Sequence, residues 1–175
     1  GPEIPILDGS AWPWVQKIRS AGITTQDALA YYASIQPQHI TMGQSRLDVE
    51  PSDSLSLTVS IEFKHPAIGH QSATFKGTDL LFQLAPAQTF GFKSDLPKLK
   101  QMGLAKGASL KNTLVYDQHG LINTQKIRYR NEALRHKALD IIGDFSLLNQ
   151  RVRADINCHR PSHSLNQHWL KAQMP

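Results

Sequence analysis

Nine residues, Leu55 to Phe63, set the strongest constraint on the fold. Leu55, Leu57, Val59, Ile61 and Phe63 alternate strictly with Ser56, Thr58, Ser60 and Glu62. A period of two marks a strand with one dry face and one wet face. The dry face needs a covering layer, and a second signal provides one. Between Asn131 and Leu148, Leu134, Ala138, Ile141, Ile142, Phe145 and Leu148 recur at helical spacing, which predicts an amphipathic helix.

The other elements follow from local signals. Residues 3–7 read as a short strand ending at the turn pair Asp8-Gly9. Ser10 and Pro13 open a short helix that stops at Gly22. The stretches 28–35 and 38–42 are helix-or-strand ambiguous. Leu47 and Val49 precede a Pro-Ser-Asp turn and are expected to pair with 55–63 as a hairpin. Residues 72–75 can return as a strand, and a helix follows from Thr78 to Leu84. A strand at 87–92, a helix at 95–102 and a strand at 113–116 form a parallel crossover unit. After the helix at 131–148 come a strand at 152–156 and a last helix from Ser162 to about Gln173.

A chain of 175 residues can bury a substantial core. Its single cysteine, Cys158, excludes an internal disulfide and any site built from several thiolates. No apolar run reaches membrane-spanning length and no signal-peptide pattern opens the chain, so a cytoplasmic protein is expected. The net charge is +5. Lys93, Lys98, Lys100, Lys106 and Lys111 form the densest basic group, but no nucleic-acid motif accompanies them, and no nucleic-acid partner is expected. Such lysines are ordinarily a solvated face; the sharper reading is attraction to an anionic amphiphile or its membrane.

His136, Asp140 and Asp144 sit four apart and stack on one side of the predicted helix. Spacing alone favours a weak surface ion pair. Imidazole and carboxylate are also ordinary zinc ligands, yet two ligands fall short of the three that a catalytic zinc takes from its protein.

The segment Arg135–Asp144 resembles the metal-binding helix of the UDP-3-O-acyl-N-acetylglucosamine deacetylases, zinc enzymes of lipid A synthesis. Further stretches resemble that family in the same order: 3–10, 63–66, 87–92, 107–112 and 162–166. The resemblance implies an α+β fold, a two-layer sandwich of a mostly antiparallel sheet with helices on one face, plus a βαβ insert. Residues 1–23 correspond to the tail end of the family's first domain and 24–175 to its second domain. The insert at about 87–117 corresponds to a passage for the substrate's acyl chain.

The resemblance also implies roles. His136 and Asp140 match two zinc ligands, with Zn2+ as cofactor. His163 matches a general acid or cationic oxyanion stabiliser, and Asp144 the carboxylate that holds it. Thr89 matches a hydroxyl near the oxyanion, Lys137 a substrate-binding lysine, and Phe90 a contact to the sugar and acyl region. Gln88 stands where many members carry Arg, and Ser162 where Gly is common. The family's other zinc-binding His follows its acidic general base directly, and this sequence contains no Glu-His pair. The implied function is zinc-dependent deacetylation of a UDP-linked acylated glucosamine. This chain would carry the C-terminal half of the site and its partner half would be supplied in cis or trans. The rival is a non-catalytic UDP- and acyl-lipid-binding module. Contact with a membrane and self-association through an uncovered apolar face are further expectations.

Overall fold

The computed structural model describes residues 4–125 and 127–173. Its elements are α1 (Trp12–Ala21), β1 (Gln38–Met42), β2 (Ser45–Pro51), β3 (Ser56–Glu62), β4 (His70–Lys76), α2 (Leu80–Leu84), β5 (Phe90–Phe92), α3 (Leu96–Gln101), β6 (Leu114–Asp117), β7 (Gly120–Leu121), α4 (Glu132–Phe145), β8 (Ala154–His159) and α5 (His163–Gln173). The class is α+β, as expected.

The main sheet has the order β1-β2-β8-β3-β4. All its pairs are antiparallel except β8 with β3, which run parallel with Ser56 opposite Asp155 and Ser60 opposite His159. The alternation of 55–63 holds: Leu57, Val59 and Ile61 are buried, and Thr58 and Ser60 face the other way. Leu47, Val49, Ile156 and Cys158 share the buried face. Helix α4 covers it near β3 and β4, and α5 covers it near β1 and β2. Leu134, Ala138, Ile141 and Phe145 from α4 meet Leu165, Trp169 and Leu170 from α5 in one core. The Phe145 and Trp169 rings stack at 3.9 Å, a contact that adds to their area burial.

The expected hairpin between 47–49 and 55–63 does not form. Strand β8 lies between β2 and β3, placing Leu47 opposite Cys158 and Leu57 opposite Ile156. Both strands are real, but their partner lies about a hundred residues downstream, where a turn signal carries no information. Within 28–35 there is no strand, only an isolated bridge from Tyr32 to Arg151. Residues 4–6 are irregular, not a strand, and Glu3 of that expected strand lies outside the described residues.

Strands β5 and β6 pair in parallel across α3, and β7 returns antiparallel from the turn at Asp117–Gly120. The crossover unit is therefore present, although its first strand begins at Phe90 and not at Ala87. The segment ahead of it is used differently. Thr89 N–H donates to the Gly9 carbonyl at 2.7 Å, and the Gln88 side chain donates to the Asp8 carbonyl at 2.6 Å. Arg128 bridges Asp8 at 2.7 Å and the Pro86 carbonyl at 2.6 Å. Gly9 has φ +81, and a Cβ there would lie 1.8 Å from the Asn112 carbonyl oxygen. The turn at Asp8-Gly9 thus clamps the N-terminal segment onto the start of β5. Burial raises the Asp8 carboxyl, but hydrogen bonds from Arg128 and Ser10 outweigh it and hold the pKa below its ordinary value.

Candidate active site

Helix α4 delivers three polar side chains to one edge of the sandwich. Residues four apart stack along a helix, and the His136, Asp140 and Asp144 side chains are all mostly buried there. His136 Nδ1 lies 3.1 Å from the Ala87 carbonyl oxygen. A carbonyl only accepts, so Nδ1 carries the proton and Nε2 offers its lone pair. That Nε2 sits 3.4 Å from Asp140 Oδ1. Two atoms bound to one tetrahedral zinc at about 2.0–2.1 Å lie about 3.3–3.4 Å apart. The pair therefore fits zinc in donor type and spacing. Burial pushes the His136 imidazole below its ordinary pKa, against the pull of Asp140 and the Ala87 carbonyl, which favours the neutral ligand form.

Lys137 Nζ occupies the second oxygen of Asp140 at 2.9 Å. Its ammonium thus neutralises the carboxylate in this structure and leaves Oδ1 directed at His136. Among the described residues, no group of three His, Cys, Asp or Glu side chains is placed to hold a metal. His136 and Asp140 are the two side chains here that could face one metal.

His163 opens α5, and its Nδ1 meets Asp144 Oδ2 at 2.8 Å. The carboxylate fixes a proton on Nδ1 and turns Nε2 towards Asp140 Oδ2, 4.0 Å away. Asn166 Nδ2 donates to the same Asp144 oxygen at 2.8 Å. The sequence reading passed over this fully buried residue. Its signal was a polar side chain in the apolar stripe shared with Trp169 and Leu170.

Glu132 is a second omission. It is 2% exposed at the first turn of α4. Its carboxylate accepts from Gln88 N–H at 2.9 Å, Arg128 N–H at 2.6 Å and Tyr129 N–H at 3.4 Å. It fixes the backbone beside Ala87, whose carbonyl orients His136. Gln88, the departure from an expected Arg, is buried and bonded to Asp8, so its side chain serves the N-terminal clamp.

Phe90 joins the polar site to an apolar one. Its ring lies edge-on to His136 at 6.5 Å and packs against Phe63 at 5.4 Å. Behind it is a cavity of about 440 Å3, lined by Ile6, Phe92, Leu96, Leu99 and Val115 and reached also by Thr89 and Phe90. That is a ligand-sized volume. Thr89 is half-buried and stands two residues from the Ala87 carbonyl that holds His136. His65 lies outside this site. Its Nε2 meets the Asp117 carbonyl at 2.6 Å and its Nδ1 accepts from Ala67 N–H at 3.2 Å. It ties the β3–β4 turn to the insert.

Comparison with known proteins identifies the family. The family model described as UDP-3-O-acyl N-acetylglycosamine deacetylase matches residues 1–174. The chain is 37% identical to the UDP-3-O-acyl-N-acetylglucosamine deacetylase of Syntrophotalea carbinolica, with 98% of this chain and 56% of that protein covered. It is 39% identical to the enzymes of the same name from Syntrophus aciditrophicus and Acidithiobacillus ferrooxidans, each over 98% of this chain, with 55% and 58% of those proteins covered. The chain thus spans little more than half the length of these relatives. It belongs to the UDP-3-O-acyl N-acetylglycosamine deacetylase family.

Proposed function

We propose that this chain carries the C-terminal half of a zinc-dependent deacetylase site that acts on UDP-3-O-acyl-N-acetylglucosamine in lipid A synthesis. The observation that carries the reading is the 3.4 Å separation of His136 Nε2 and Asp140 Oδ1, next to an oriented His163 and an apolar cavity. In this reading residues 1–23 are the end of the family's first domain and 24–175 its second. The remaining zinc ligand and the general base come from the partner half.

His136 and Asp140 would hold the metal. The chemistry that zinc supplies when bound there is polarisation of the acetyl carbonyl and activation of water near neutral pH. The chain's own residues do the rest. His163, with Nδ1 held by Asp144, presents Nε2 to the reacting amide, where a proton must reach the leaving amine and a donor must meet the oxyanion. Asn166 keeps Asp144 in line. The Thr89 hydroxyl provides a second polar contact beside the oxyanion. Lys137 turns from Asp140 to the sugar or diphosphate oxygens. Phe90 seats the sugar and feeds the 3-O-acyl chain into the cavity behind it. The acyl ester and the N-acetyl group are on adjacent sugar carbons, which suits a cavity that starts one ring away from His136.

Zinc titration by calorimetry tests the first half of the reading. Tight binding is expected once an N-terminal half bearing a Glu-His pair is present, and is lost in His136→Ala and Asp140→Ala. The two halves together should then give amide hydrolysis, abolished by His136→Ala. Retained UDP or acyl-lipid binding without hydrolysis, unchanged by His136→Ala and by chelation, would support the binding-module reading instead.

A further inference from the structure

Five lysines lie between Lys93 and Lys111 against one acid, Asp95, so this stretch carries +4 of the chain's net +5. It is the crossover insert, and all five lysines are exposed. Three large apolar side chains are exposed among them: Met102 is 62%, Leu104 50% and Leu110 47% accessible. Met102 and Leu104 directly follow α3, and Leu110 borders the apolar cavity together with Ala105 and Ala108. Exposed apolar side chains interspersed with lysines along one short stretch are what an interfacial anchor presents to anionic lipid.

We propose that the tip of the β5–α3–β6 unit docks on an anionic bilayer. Met102 and Leu104 enter the headgroup boundary, and Lys98, Lys100, Lys106 and Lys111 lie against lipid phosphates. The cavity behind Leu110 then opens close to the membrane surface, where an acylated ligand partitions. Charge complementarity selects a lipid surface over a second copy of this chain, whose insert would repel it.

Vesicle co-sedimentation of this chain tests the proposal. Binding is expected to phosphatidylcholine vesicles that contain phosphatidylglycerol and not to phosphatidylcholine alone, and it should weaken as salt rises. Lys98→Gln with Lys100→Gln should lower the partition coefficient roughly 30-fold, about fivefold per lysine. Met102→Ser with Leu104→Ser should lower it about tenfold or more with every lysine intact. None of these residues lines the cavity. Ile18→Ser with Leu29→Ser, on exposed apolar positions outside the insert, should bind as the parent does. His136→Ala should also bind as the parent does, which separates this proposal from the catalytic reading. Equal binding to neutral vesicles, no binding to anionic vesicles at low salt, or a loss confined to the Ile18/Leu29 variant would overturn it.

Discussion

Glu132→Gln is the most informative single substitution. The change is isosteric and replaces one carboxylate oxygen with an amide NH2. The remaining amide oxygen can still accept from Gln88 N–H, at a loss of charge assistance of about 1 kcal/mol. The new NH2 then faces the Arg128 and Tyr129 N–H groups, donor against donor, at a site 2% exposed. An unsatisfied buried N–H costs about 1–3 kcal/mol, so the expected total is about 2–4 kcal/mol. For a domain of this size that lowers Tm by roughly 5–15 °C. Urea unfolding followed by circular dichroism measures it, with Glu50→Gln on the uncovered sheet face as a control expected within about 0.5 kcal/mol. Zinc affinity should fall as well, because Gln88 follows the Ala87 carbonyl that orients His136. A stability loss below about 1 kcal/mol would refute the claim that Glu132 organises this loop.

Gly9→Ala should release the N-terminal segment, since the left-handed backbone alone costs about 1–2 kcal/mol and the Asn112 carbonyl blocks the added Cβ; faster proteolysis before Trp12 would report it. Burial, with a smaller contribution from Asp48, raises the Cys158 thiol from near 9 to about 12. The native protein should therefore resist alkylation at pH 8 and react promptly in urea. The sign follows from the shift. The unfolded chain loses this proton first, so the stabilisation is complete below pH 9 and is lost as pH rises towards about 12. Cys158→Ala should flatten that alkaline limb of the unfolding curve. Asn166→Leu removes a donor from Asp144. In the reconstituted enzyme it should lower kcat about tenfold with little change in KM; an unchanged kcat would remove Asn166 from the catalytic alignment.

The elements visible in the sequence were those whose signal is local and periodic. The alternation at 55–63 became β3, and the stripe from Leu134 to Phe145 became the buried face of α4. The four-residue spacing of His136, Asp140 and Asp144 placed them on one edge. Spacing could not reveal what completes their environment. The Ala87 carbonyl, Glu132 and Asn166 matter through contacts across 49, 44 and 22 residues. Periodicity contains no term for such separations. Pairing order failed for the same reason: Leu47 and Leu57 each read as half of a hairpin, and nothing near them pointed to Ile156 and Cys158. Residues 28–35 stayed ambiguous because Tyr31, Tyr32 and Ile35 suit a helix or a strand, and the structure makes them neither, with only the Tyr32–Arg151 bridge.

The position of β8 has a consequence for how the chain acquires its shape. The hairpins β1–β2 and β3–β4 are each local, yet no ladder joins them until residues 154–159 arrive between them. During synthesis the two hairpins must wait for a strand made roughly eighty to a hundred residues after them before they share one sheet. Closing contacts of such long range are slow to form and leave edges open to aggregation. A chain stopped before Ala154 would leave α4 and His136 resting on the β3–β4 ribbon alone, with the β1–β2 ribbon unattached to it.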